Sequence, residues 1–154
     1  MKIHFVKMAG TGNDFVLIDN RSGILPEDRL VEFVKYISHR NRGLRRDGVI
    51  FLEYDNIPRM RIFNPDGSEA EMCGNGARCF VKFLEMNNIC KDKISFETKA
   101  GIISGELCNN GVKVQLTPPS DIKDYNLNIN GETLNVSFIN TGVPHTVIFV
   151  DDIE

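Results

Sequence analysis

Short runs of β-branched and aromatic residues, each closed after a few positions by Gly, Pro, Asn or Asp, recur along the chain and constrain it to a strand-rich fold. Ile3–Lys7, Phe15–Asp19, Val49–Tyr54 and Arg59–Phe63 read as strands, and the texture returns in Lys93–Thr98, Ile102–Leu107, Val112–Leu116, Thr133–Ile139 and Thr146–Val150. Asn109-Asn110-Gly111 and Asn130-Gly131 lie between such runs and predict hairpin turns, because Asn and Gly tolerate positive φ. Two stretches carry helical periodicity instead. In Pro26–Arg40, Leu30, Phe33, Val34 and Ile37 fall on one face; Pro26 suits a first turn, and Glu27 and Asp28 sit where the helix dipole favours acids. Ala77, Phe80, Val81 and Leu84 predict a second helix over about Gly76–Met86, stopped by Asn87-Asn88. The expected class is α+β with mainly antiparallel pairing. Pro118-Pro119-Ser120-Asp121 is the candidate hinge, read as a loop rather than a domain boundary.

At 154 residues, 42% apolar and 25% charged, the chain can bury one proper core. Its formal charge of −3 argues against a broad electrostatic grip on nucleic acid or anionic lipid. No apolar run approaches the roughly 18 residues of a membrane helix, and the start MKIHFVKMAG lacks the apolar centre of a signal peptide. Cys73, Cys79, Cys90 and Cys108 form no CxxC pair, so neither a structural zinc nor a disulfide scaffold is expected. The expected setting is a reducing cytoplasm.

The densest chemistry lies in Asn64-Pro65-Asp66-Gly67-Ser68-Glu69-Ala70-Glu71-Met72-Cys73-Gly74-Asn75-Gly76-Ala77-Arg78-Cys79. A polar, turn-prone loop runs into a cysteine, then Gly-Asn-Gly, then an apolar helix. Glycines admit close approach of a ligand to the backbone, and the first N–H groups of a helix, lacking intrahelical partners, bind a carboxylate or phosphate. The same partial positive charge favours a thiolate. Cys73 is therefore a candidate base or nucleophile, the alternative being an inert cysteine buried ahead of a tight loop. Cys79 reads as core, and six residues of helix would set it roughly 9 Å and about 240° from Cys73, so the two thiols cannot flank one carbon atom. Gly10-Thr11-Gly12-Asn13-Asp14-Phe15 reads by itself as a turn, too short for a Walker loop. His4 and His39 read as surface or packing residues, and His145 as a loop histidine before a strand.

Taken together, these residues resemble the diaminopimelate epimerase family. Gly12-Asn13-Asp14-Phe15 is similar to its N-terminal substrate loop, and Phe63–Ser68 with Met72–Cys79 to its first catalytic-cysteine motif; Arg46-Asp47-Gly48 and Gly142-Val143-Pro144-His145 match further landmarks. The resemblance implies a barrel-like, mainly antiparallel sheet wrapped around a central helix, one half of a pseudo-symmetric two-domain fold, with residues 1–154 as the N-terminal epimerase domain. It implies cofactor-independent epimerisation of LL-2,6-diaminopimelate to the meso isomer, a step towards lysine and cell wall, with no cofactor and no metal. Cys73 would be one of two catalytic thiols, Gly74 and Asn75 would hold the α-carboxylate, Asn13 and Asn64 would contact substrate, and His145 would tune the thiols. Val143 stands where many members carry a substrate-contacting asparagine, and Gly48 where some carry a glutamine. After Asp151-Asp152-Ile153-Glu154 no second Cys-Gly-Thr/Ser-Gly motif follows. The expected partners are therefore the small-molecule substrate and a C-terminal epimerase domain, a homodimer of the intact enzyme being compatible; the chain alone is expected to be inactive. The competing readings are another isomerase of the fold, phenazine-biosynthesis-like or proline-racemase-like, and a non-catalytic carboxylate-binding domain.

Overall fold

The computed structural model describes residues 2–39, 43–44, 46–141 and 143–152. Arg40 at the end of the first expected helix, Gly142 of the landmark before His145, and Ile153-Glu154 lie outside the described residues. The chain divides into two compact units, Met1–Gln115 and Leu116–Glu154, the division falling just ahead of Pro118-Pro119.

Among its described residues the first unit is an eight-stranded mixed sheet with two helices. Along the chain it runs β1 (Val6–Gly10), β2 (Asn13–Asp19), α1 (Glu27–Ser38), β3 (Gly48–Tyr54), β4 (Pro58–Phe63), β5 (Glu69–Ala70), α2 (Gly74–Met86), β6 (Lys93–Thr98), β7 (Gly101–Cys108) and β8 (Gly111–Gln115). The spatial order is β1-β2-β3-β4-β6-β7-β8, with β5 paired to β4. Pairing is antiparallel except between β2 and β3 and between β4 and β6. Parallel neighbours need a long crossover, and each crossover here carries a helix. These helices cover opposite faces: Leu17, Ile50 and Ile62 pack into one core with Ala77, Phe80, Val81 and Leu84 of α2, whereas Val16, Ile18, Val49 and Phe51 pack with Leu30 and Val34 of α1. Alternate side chains of a strand point to opposite faces, so the unbroken apolar runs of β2 and β3 follow from burial on both sides. Both edge strands, β1 and β8, also pack on α2, as do β2, β3, β4 and β7, so the sheet curls around that helix as expected.

Most boundaries differ from expectation by a residue or two, with larger shifts at the ends. β1 runs from Val6 to Gly10 rather than Ile3 to Lys7, because Gly10 and Asn13 close a two-residue hairpin whose tip, Thr11 (φ 49°) and Gly12 (φ 88°), is left-handed. Pro26 is the N-cap of α1 in an extended conformation, not a first-turn residue. α2 begins at Gly74, two residues before the expected start, because the apolar periodicity reports packing while the helix opens where its backbone turns. Its stop is as read: Asn88 is left-handed (φ 59°), with Asn88 N–H bonded to the Glu85 carbonyl and Ile89 N–H to that of Leu84, each at 2.9 Å.

The second unit is an antiparallel meander of β9 (Ser120–Ile129), β10 (Glu132–Asn140) and β11 (Pro144–Val147). Asn130 (φ 53°) and Gly131 (φ 87°) form its first hairpin turn. Ser120 and Asp121, read as loop, open β9, and β11 ends before the expected Ile148–Val150. Among the described residues, no helix is long and apolar enough to cross a membrane.

Candidate active site

Three neighbouring strands bring the site residues to one end of the sheet. In the β2–β3–β4 register Phe15 pairs with Gly48 and Val49 with Phe63. Asn13 and Asp14 just before Phe15, Asp47 just before Gly48, and Asn64 just after Phe63 therefore share one sheet end. Gly76 seats α2 on the same strands, since a Cβ there would fall 3.0 Å from Ile62 Cδ1 and 3.2 Å from Ile50 Cδ1. Gly10 admits β1 just as closely, with the Asn75 carbonyl oxygen 2.8 Å from where its Cβ would be.

Cys73 is the half-buried N-cap of α2, extended at φ −144°, and its side chain makes no capping hydrogen bond. Its carbonyl takes the first helical bond, from Ala77 N–H at 2.8 Å, so the N–H groups of Gly74, Asn75 and Gly76 precede the helical ladder. Asn75 Nδ2 donates to Asn13 Oδ1 at 2.7 Å, tying the β1–β2 hairpin to the start of α2. The residues just ahead of β3 hold that hairpin from the other side: Arg46 Nη1 bonds Asp14 Oδ2 at 2.6 Å, Asp47 N–H bonds the Asp14 carbonyl at 2.9 Å, and Asp47 Oδ2 accepts Asp14 N–H at 2.8 Å.

Asn64 is exposed at the end of β4, in a turn closed by Gly67 N–H to its carbonyl at 2.9 Å; its Nδ2 donates to Ser68 Oγ at 3.0 Å. Gly67 (φ 87°) presses on α1, where a Cβ would meet Val31 Cγ1 at 2.8 Å. Cys73, Gly74, Asn75 and Asn13 are thus brought together, with Asn64 at the same sheet end. His145 lies in β11 of the second unit. Its Nδ1 donates to the Val143 carbonyl at 2.7 Å.

Cys79 lies on the buried face of α2, as read, and burial pushes its thiol up despite neighbouring Arg78. Burial likewise pushes up Cys90, while Cys108 is exposed at the end of β7. Asp47, Arg78 and Thr11 belong to the network but received no role from sequence reasoning. Asp47 bonds Asn13 and Asp14, 34 and 33 residues away, and Arg78 bonds Thr11 across 67 residues as well as Asn75 three residues before it, so of these contacts the last alone is local.

The fold is shared with longer proteins, about half of whose chains this one covers. A Bacillus anthracis phenazine biosynthesis protein of the PhzF family superposes with TM-score 0.68 at 21% identity, over 96% of this chain and 56% of that one. A probable proline racemase from Agrobacterium radiobacter K84 superposes with TM-score 0.73 at 12% identity, over 96% and 52%. At such identities the likeness concerns fold alone: one half of a pseudo-symmetric epimerase architecture.

Sequence is more particular. The diaminopimelate epimerase family profile matches residues 5–122. The diaminopimelate epimerase of Aquifex aeolicus is 43% identical over 99% of this chain, and that of Methanocella arvoryzae 48% identical over 99%. The chain belongs to the diaminopimelate epimerase family. It spans 59% and 60% of the length of those two relatives.

Proposed function

We propose that this chain supplies one half of the active site of a cofactor-independent epimerase that converts LL-2,6-diaminopimelate to the meso isomer. The observation that carries the reading is Cys73, the half-buried N-cap residue of α2, two residues before Asn75, whose side chain bonds Asn13. Inverting a stereocentre without a cofactor takes a base on one face of the α-carbon and an acid on the other. The Cys73 thiolate takes the α-proton of one configuration, or its thiol returns a proton to the other; the opposite face belongs to a second cysteine in a C-terminal epimerase domain. Charge that develops towards the α-carboxylate meets the N–H groups of Gly74 and Asn75, where the helix terminus favours it. Asn13 and Asn64 hold the rest of the substrate, and His145 tunes the thiols. The partner of this chain is the C-terminal epimerase domain, and its substrate a small dicarboxylate; the setting is cytoplasmic.

The test follows the α-proton of LL-diaminopimelate in D₂O by NMR. The 154-residue chain alone should form no meso isomer, because one thiol reaches one face. Supplied with a C-terminal epimerase domain, the chain should exchange the proton and form the meso isomer, and Cys73→Ser should abolish both, a hydroxyl being a far weaker acid than a thiol. Near wild-type turnover by Cys73→Ser would overturn the mechanism. Turnover of proline instead of diaminopimelate would move the assignment to another isomerase of the fold.

A further inference from the structure

The side chains around Asn13 and Asn75 form one directed chain of hydrogen bonds. Arg78, one turn into α2, donates through Nη2 to Asn75 Oδ1 and, at 2.9 Å, to Thr11 Oγ1. Asn75 Nδ2 donates to Asn13 Oδ1 at 2.7 Å, and Asn13 Nδ2 donates to Asp47 Oδ2 at 3.4 Å. A guanidinium only donates and an ionised carboxylate only accepts, whereas a carboxamide does both and can rotate by half a turn with little change in shape. The two charged ends therefore settle which way both amides face. Each amide oxygen is turned to a protein donor, and each Nδ2 keeps a second N–H.

We propose that Arg78 and Asp47 are positioning residues that pin the Asn75 and Asn13 amides from opposite ends, so that both offer N–H donors to the ligand. The inference rests on the reading of this surface as a carboxylate-substrate site. Pinned in this way, the amides add donors beside the backbone N–H groups of Gly74 and Asn75, and a face of donors selects a carboxylate. With Asp47 made neutral, Asn13 can turn its oxygen outward and repel the same carboxylate. Specificity would then depend on two residues that need not touch the substrate.

The test uses the ¹⁵N-labelled 154-residue protein. The Asn13 and Asn75 side-chain NH₂ signals should shift in Asp47→Asn and in Arg78→Met, while backbone signals of β3 and β4 stay in place and report an intact fold. Arg78→Lys, still only a donor, should keep the Asn75 pair closer to wild type. Titration with LL-diaminopimelate, read at the backbone amides of Gly74 and Asn75, should show binding weakened about tenfold, equivalent to about 1.4 kcal/mol, in Asp47→Asn. Unmoved Asn13 and Asn75 amide signals in Asp47→Asn and Arg78→Met would overturn the pinning. Shifted signals with undiminished binding would overturn its role in recognition. A wild-type protein that binds no diaminopimelate even when supplied with a C-terminal epimerase domain would defeat the functional reading, and the amide signals would still decide the pinning.

Discussion

Cys73 and Gly10 show how much a single position decides. Cys73 has the helix terminus beside it and partial access to solvent, whereas burial pushes the Cys79 and Cys90 thiols up and Cys108 lies on a strand end. Iodoacetamide at neutral pH should therefore label Cys73 first of the four, with peptide mass spectrometry giving the order; earlier labelling of Cys108 would contradict the assignment. Gly10 matters by what it lacks. A methyl group there would meet the Asn75 carbonyl at 2.8 Å and Cys79 Sγ at 3.0 Å. Gly10→Ala should cost about 1–3 kcal/mol in denaturant unfolding, as overpacking does, and should weaken ligand binding by pushing Asn75 away from Asn13. The candidate role of Cys73 is legible in the sequence because a polar loop, a Gly-Asn-Gly turn and an apolar helix follow one another directly. The hydrogen bond from Asn75 to Asn13 is not, since 62 residues separate them.

Helices α1 and α2 carry the two cores, so each can be tested by truncating a buried side chain. Phe80 of α2 is fully buried, its ring centroid 5.1 Å from that of Phe96. Phe80→Ala should cost about 3–5 kcal/mol in denaturant unfolding. Asn88, left-handed at the end of α2, gives a smaller effect with a sign: Asn88→Gly should be close to neutral, and Asn88→Ala should destabilise by about 1 kcal/mol. Both helices were legible because apolar positions recur at i, i+3, i+4 and i+7, one face over about two turns. Of the missed strands, β5 is two residues long and carries no periodic signal, whereas β9, though exposed throughout, alternates Tyr125, Leu127 and Ile129 with Asn126 and Asn128, a strand signal that the reading of its start as loop passed over.

Both core clusters are drawn entirely from residues before Gln115, within the first unit. A chain ending at Gln115 should therefore keep cooperative thermal unfolding and the far-ultraviolet circular dichroism of a folded mixed sheet; loss of both would show that the first unit's core does not suffice. Electrostatics adds a pH dependence to the whole. A hydrogen bond from Arg61 holds the Glu27 carboxyl below its usual range, and one from Arg21 does the same for Asp19. Carboxyls lowered in the fold stabilise it fully above their unfolded-chain values, about 4, and lose that contribution as pH falls through the lower folded values. The melting temperature should accordingly decline below about pH 4. Arg61→Met should remove the Glu27 part of that slope, a small part because the Glu27 side chain is 75% exposed.

Hairpin tips, helix faces, the Asn87-Asn88 stop and the cysteine at a helix start all follow from residues within a few positions of one another. Positive φ, i to i+4 hydrogen bonding and strand alternation are local physics, so the linear order of residues suffices to state them. The assembled site obeys a different rule. Asn13, Asp47, Asn64 and Cys73 meet because β2 pairs with β3 in parallel, β3 with β4 antiparallel, and α2 crosses beneath them. Those pairings are chosen by burying both faces of one sheet at once, a cooperative condition that no short window contains. Arg78 and Asp47 act from opposite ends of one chain of hydrogen bonds only after that choice is made: both lie in recognisable motifs, but their joint action on the two asparagines emerges from packing.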